Sequence, residues 1–123
     1  MSGPGIARVI LYVRDVAGVA AFYERHFGTR RLPNATEKWI ELAPADGGCA
    51  IALHKAAVSQ KSGAAIKLVF GVADVEAFKA EKEREGLMFG AVHRVDGVMF
   101  ANAKDPAGNS IQISNRGIES RTQ

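Results

Sequence analysis

The sequence predicts an α+β fold: two tandem βαβββ modules forming a cupped, mostly antiparallel sheet with the helices on its convex side. Three observations carry this. A strand–Asp–helix–Gly pattern occurs twice, the two copies keep a near-constant spacing, and the strands alternate branched with polar or small residues. Asp15 and Asp74 lie 59 residues apart, Gly28 and Gly86 58, and the pairs Ile40–Phe100 and Ile51–Ile111 60 each. An offset held within two residues across a strand, a helix and two later strands marks a repeated unit.

Each element has a local cause. Ile6–Val13 reads IARVILYV, rich in branched and aromatic residues, and is the first strand. Asp15 is an N-cap whose carboxylate accepts from the orphan N–H groups of the first helical turn. Val16, Val19, Ala20, Tyr23 and Phe27 follow at helical spacing, and Gly28 supplies a left-handed stop. Gly18 in the first turn counts against this helix. After a turn at Pro33–Asn34, strands are expected at Lys38–Ala43 and Cys49–Lys55, with the Pro44–Gly48 turn between them. The second copy has a strand at Ala65–Val72, an N-cap at Asp74, a stripe of Val75 and Phe78, and a stop at Gly86. Strands at Phe89–His93, Val98–Lys104 and Asn109–Ser114 complete it, the last two joined by the tight turn Asp105–Asn109. The chain reads as one domain over residues 1–123, with module one about 6–55, a linker about 56–64 and module two about 65–115. The end from Arg116 onward is expected to be loose.

Strand parity assigns faces. Val9, Leu11 and Val13 should pack under the first helix, leaving Arg8, Ile10 and Tyr12 on the concave face. In the second module Leu68, Phe70 and Val72 point inward, and Lys67, Val69 and Gly71 face the concavity. Ile51 and Leu53 are core against Ala50, Ala52 and His54. Ile111 and Ile113 are core against Ser110, Gln112 and Ser114.

Composition excludes several classes. With 47% apolar and 24% charged residues, the 123-residue chain is neither a disordered tail nor a solvated linker. The net charge of +3 is spread along the chain rather than blocked, which argues against nucleic acid or an acidic membrane as partner. One cysteine, Cys49, can form neither an intrachain disulfide nor a Cys-rich zinc site, which favours the cytoplasm. It is read as a buried strand residue. Arg8, Arg14 and Asp15 interrupt the apolar stretch Ile6–Phe22, so it is neither a signal h-region nor a membrane span. There is no GxSxG elbow and no Gly-rich phosphate loop.

The first module, RVILYVRDVAGVAAFYERHFG, and the closing DPAGNSIQI resemble the vicinal oxygen chelate superfamily of glyoxalase I, bleomycin-resistance proteins and extradiol dioxygenases. The likeness covers roughly residues 6–115; its most specific pieces are FYERHFG (Phe22–Gly28) and DPAGN (Asp105–Asn109). It implies paired βαβββ modules in an open, cupped sheet, usually as a homodimer. Exposed strand edges favour a second copy as well.

In the metal-using members, that resemblance implies His in the first strand and Glu in the last strand of each module. The matching positions here are Arg8, Lys67, Ala52 and Gln112. Neither a guanidinium nor an ammonium offers a lone pair, Ala52 offers nothing, and Gln112 offers one weak amide oxygen. The expectation is therefore no metal and no cofactor. His26 is read as structural near a helix C-terminus, His93 as surface, and a His54–Glu41 pair falls short of three ligands.

The candidate ligand-binding set is Arg8, Tyr12, Trp39, Glu41, His54, Lys67, Met99 and Gln112. Arg8 and Lys67 stand where histidines are vacated, which suits an anionic or acceptor-rich small molecule, with Tyr12, Trp39 and Met99 as an apolar wall. The competing arrangement has Arg8 paired with Glu41 and Lys67 in solvent, leaving no charge preference. Two function classes follow. One is a metal-independent binding protein similar to the bleomycin-resistance branch, although a basic cup argues against that cationic drug. The other is a glyoxalase- or dioxygenase-like enzyme, a lyase or oxidoreductase. It would have an atypical metal site, or use Arg8, Lys67 and Gln112 to stabilise enolate-like charge.

Overall fold

The computed structural model describes residues 8–57 and 66–116. Two compact units divide the chain, residues 1–63 and 64–123. Unit one runs β1 (Arg8–Val13), α1 (Val16–Phe27), β2 (Arg30–Arg31), β3 (Trp39–Ala43) and β4 (Ala50–Lys55). Unit two runs β5 (Lys67–Gly71), α2 (Val75–Arg84), β6 (His93–Val95), β7 (Val98–Lys104) and β8 (Ser110–Ser114). The βαβββ order is thus present twice. Ile6, Ala7, the expected linker from 58 to 64, Ala65 and the chain beyond Arg116 lie outside the described residues.

Each unit builds its own four-stranded sheet, ordered β1-β4-β3-β2 in the first and β5-β8-β7-β6 in the second. The first strand pairs parallel with the last, and the other pairings are antiparallel. A parallel pair needs a long crossover, which the helix and the two intervening strands supply.

The expected parity holds. Along β1, Leu11 and Val13 are buried while Arg8, Ile10 and Tyr12 are exposed. The α1 stripe of Val16, Val19, Ala20 and Tyr23 is buried, and α1 packs on β3 and β4. Ile40, Leu42 and Leu53 fill the space beneath. In unit two Val75, Ala101, Ile111 and Ile113 form the corresponding core. α2 is more polar: Lys82 lies buried over the Phe78 ring, 5.4 Å from its centroid, with its ammonium on Glu85. It ends in a left-handed Gly86 (φ 95°), where Leu87 N–H returns to the Lys82 carbonyl, satisfying an orphan acceptor.

Two local expectations are corrected. The strand expected at Phe89–His93 begins only at His93. Its register is set by Asp96 and Gly97, whose φ values of 51° and 81° are the positive pair that a two-residue hairpin turn requires. Phe89 is buried ahead of that hairpin, and Gly90 N–H donates to the Asn102 carbonyl at 2.9 Å. Cys49 is exposed rather than buried, because the left-handed Gly47 and Gly48 carry the turn past it and β4 starts at Ala50.

The DPAGN turn is held by one carboxylate. Asp105 accepts from the backbone N–H groups of Ala107 (2.9 Å) and Asn109 (2.8 Å) and from Asn109 Nδ2 (2.9 Å), with both residues buried. Both predicted N-caps are made: Asp15 accepts from Gly18 N–H at 2.9 Å and Asp74 from Ala77 N–H at 3.0 Å.

Gly18 is not simply a weak point in α1. A Cβ there would overlap the Asp15 carboxylate that caps the helix. In an ordinary helix, Gly→Ala gains roughly 0.5–1 kcal/mol. Here the gain is offset by a cap worth about 1 kcal/mol. Urea denaturation is therefore expected to show little or no stabilisation by Gly18→Ala alone. The same substitution in an Asp15→Ala background should stabilise by roughly 0.5–1 kcal/mol. Equal gains in both backgrounds would mean that the cap and the glycine are independent.

Candidate functional site

The site is built from the sheet faces that turn away from the helices. In unit one, β1 contributes Arg8, Ile10 and Tyr12, β4 contributes Ala50, Ala52 and His54, and β3 contributes Trp39 and Glu41. Register sets their neighbours: Arg8 faces Ala50, Ile10 faces Ala52, Tyr12 faces His54, and across the next ladder Trp39 faces His54 and Glu41 faces Ala52.

Arg8 and Glu41 lie on strands separated by β4, about 10 Å apart in backbone. Only a long side chain can cross that gap, and the alanines of β4 leave room for it. Arg8 Nε donates to Glu41 Oε2 at 3.0 Å. The pair is unequal in exposure: the Arg8 side chain keeps 45% of its surface and Glu41 only 9%. The Arg8 hydrogen bond lowers the Glu41 carboxyl below its ordinary 4.5; burial opposes this, and an Asn34 side-chain bond adds to the lowering. The guanidinium has five N–H donors, and the Nε bond uses one.

At the other end of this face three rings meet. The Tyr12 and His54 centroids are 5.3 Å apart at 47°, and Trp39 meets His54 edge-on at 5.9 Å and 88°. His54 Nδ1 lies 2.9 Å from the Lys55 carbonyl. A carbonyl only accepts, so Nδ1 carries the proton.

In unit two Lys67 faces Ser110, Val69 faces Gln112, and Asn102 faces Gln112 across the next ladder. Lys67 Nζ donates to Asn102 Oδ1 at 3.3 Å, and Gln112 Nε2 donates to the same oxygen at 2.9 Å. Phe100, opposite Ser114, stacks on His93 with centroids 5.1 Å apart.

Five of the eight candidates, Arg8, Tyr12, Trp39, Glu41 and His54, thus share the open face of unit one. Lys67 and Gln112 share that of unit two. Met99 does not join them: alternation places it with Ala101 and Ala103 on the helix side, its N–H bonded to Asn115 Oδ1 at 2.8 Å. Phe100 takes the position expected of it, and Asn102 is an addition. The 60-residue offset aligned Ile40 with Phe100, whereas the ladders make Trp39 equivalent to Phe100 and Glu41 to Asn102, an offset of 61. Counting back from the DPAGN turn, or reading Asp96–Gly97 as a hairpin, carries that one-residue shift.

The four positions of the implied metal site do not fit a metal. Arg8 and Lys67 have no lone pair to give, Ala52 has no donor, and Gln112 supplies at most one neutral amide oxygen, short of the three ligands a catalytic site needs. Among the described residues no three His, Cys, Asp or Glu side chains stand together as a ligand group. The Glu41 carboxylate takes Arg8 as its partner on Oε2, and with His54 it makes at most a two-ligand set.

A doubled βαβββ scaffold with open sheet faces rich in donors and rings defines a class of small paired-module proteins. The chain belongs to the Glyoxalase/Bleomycin resistance protein/Dioxygenase superfamily, whose model matches residues 5–113. Solved structures of that fold are similar along nearly the whole chain. A lactoylglutathione lyase from Agrobacterium tumefaciens is 20% identical with a TM-score of 0.72, the match covering 92% of this chain and 94% of that one. An antibiotic-binding protein from Streptomyces sp. CB03234 is 21% identical with a TM-score of 0.76, covering 92% and 96%. A glyoxalase family protein from Bacillus anthracis is 19% identical with a TM-score of 0.75, covering 93% and 96%. No curated protein matches the chain. No helix among the described residues is long and apolar enough to cross a membrane.

The Arg8–Glu41 pair has a pH signature. A carboxyl lowered in the folded state stabilises above its unfolded value, and the contribution is lost as pH falls through the folded value. Arg8→Ala should therefore cost most stability near neutral pH, with the gap to wild type narrowing below about pH 4.5. Urea denaturation of both proteins between pH 3 and 7 reads this; a gap constant with pH would place the pair's worth elsewhere.

Proposed function

We propose that this protein binds a small, acceptor-rich or anionic organic molecule on its open sheet faces without using a metal. The observation that carries this reading is the chemistry at the four positions where the family's metal users hold their ligands. Two side chains there are cations, one is a methyl group and one an amide. What remains is a recognition surface rather than a coordination sphere. In unit one the Arg8 guanidinium offers donors at one end of the face and the Tyr12, His54 and Trp39 rings stand at the other, so a ligand with ring and acceptor groups finds both on one face. The antibiotic-binding protein among the similar structures supports binding, and the lactoylglutathione lyase supports catalysis. The donor chemistry here favours the first.

The reading includes a cytoplasmic homodimer, supported by the single free Cys49 and by the edge strands that each four-stranded sheet presents for pairing.

Metal analysis of purified protein should find well under one equivalent of any transition metal. A screen of small aromatic amides and carboxylates should give binding that is indifferent to chelator, with the aromatic amides weakened about tenfold by Arg8→Ala. Stoichiometric metal together with chelator-sensitive turnover of a substrate would overturn the proposal in favour of an enzyme.

A further inference from the structure

The two units present equivalent positions with different charge balance. Glu41 faces Ala52 as Asn102 faces Gln112, and Arg8 faces Ala50 as Lys67 faces Ser110. In unit one the cation meets a nearly buried carboxylate at 3.0 Å, and the pair is neutral. In unit two the cation meets an amide oxygen at 3.3 Å, and no described carboxylate pairs with Lys67. The Lys67 charge on this face is therefore not cancelled by a described carboxylate.

The hydrogen-bond logic also fixes the amide orientations. An ammonium only donates, so the Asn102 atom facing Lys67 is its oxygen, and Gln112 must then meet that oxygen with Nε2. This leaves on one face two further N–H protons on Lys67, the Asn102 Nδ2 donors and the Gln112 Oε1 acceptor, with a second ammonium, Lys104, held on Ser110 Oγ at 2.9 Å at the end of the same row. A charged donor next to a neutral donor suits the two oxygens of a carboxylate. The neighbouring Gln112 oxygen disfavours the third oxygen and extra charge of a phosphate.

We infer that the open face of unit two is a carboxylate-binding site formed by Lys67, Asn102 and Gln112, while unit one, its cation neutralised by Glu41, takes uncharged groups. This rests on the small-molecule-binding reading above and assigns the charge recognition within it. Asn102 is the determinant, because it holds the ammonium in place without cancelling it.

The test titrates the isotope-labelled full chain with benzoate and with benzamide, its neutral counterpart, following backbone amide signals. Benzoate should shift Lys67, Asn102 and Gln112, and benzamide should not. Asn102→Asp keeps a partner for Lys67 but neutralises it, and should weaken benzoate about tenfold; Lys67→Gln should do the same. Glu41→Gln frees the Arg8 charge and should add benzoate shifts around Arg8 that wild type lacks. Thermal melts identify any variant that fails to fold, in which case the other unit-two substitution decides. The inference is overturned by any of three results: no wild-type benzoate response in unit two, equal responses in both units, or unchanged affinity in a folded Asn102→Asp or Lys67→Gln. Failure of the broader reading is distinct, since it shows as stoichiometric metal and chelator-sensitive turnover rather than as a benzoate titration.

Discussion

Parallel pairing of the first strand of each unit with its last is the constraint on which the molecule's chemistry depends. It places Arg8, Ile10 and Tyr12 beside Ala50, Ala52 and His54 in fixed register, and Lys67 and Val69 beside Ser110 and Gln112. Because side chains alternate across a strand, a one-residue slip would send every polar group of these rows into the core beneath the helices. The branched residues of β4 and β8 prevent the slip: Leu53, Ile111 and Ile113 are fully buried, and Ile51 nearly so. Burying such side chains is worth about 1.5–3 kcal/mol each, far more than any single contact on the open faces. The core therefore fixes the geometry, and the open faces are free to vary in chemistry.

That freedom accounts for what the sequence could and could not reveal. The helix caps, the left-handed stop at Gly28 and the strand faces were legible because each depends on a few neighbouring residues. Asp15, Asp74 and Asp105 act within four residues of their own positions. The same locality made the parity of β1, β4, β5 and β8 readable. The third strand of each unit was harder, since its alignment depends on loops of different length in the two copies. There the apolar Ile40 aligns with Phe100 at an offset of 60, one short of the 61 of the ladders, which puts Met99 in the place of Phe100 and passes over Asn102. The Asp96–Gly97 pair held the correction, because a two-residue turn fixes the β6–β7 register.

The pairing of Arg8 with Glu41 was legible only as one of two arrangements. Parity put both side chains on one face, but their meeting depends on strand order, with β4 and its alanines lying between them. Sequence spacing carries no direct record of that order. Exposure of Cys49 was missed for a related reason: the left-handed glycines at 47 and 48 prolong a turn that composition alone would close one residue earlier.

The guanidinium bridge over β4 bears on what introducing a coordination centre into this scaffold would require. Arg8→His with Ala52→Glu would put imidazole and carboxylate at the positions that the resemblance assigns to metal ligands, yet it would remove the counter-ion of Glu41. Two carboxylates would then stand directly opposite on adjacent strands, a repulsive arrangement in a half-dry setting. The apo form would be weakened, and occupancy by a divalent ion would relieve it. Gain of coordination would thus arrive coupled to folding, visible as a melting temperature that climbs with added zinc.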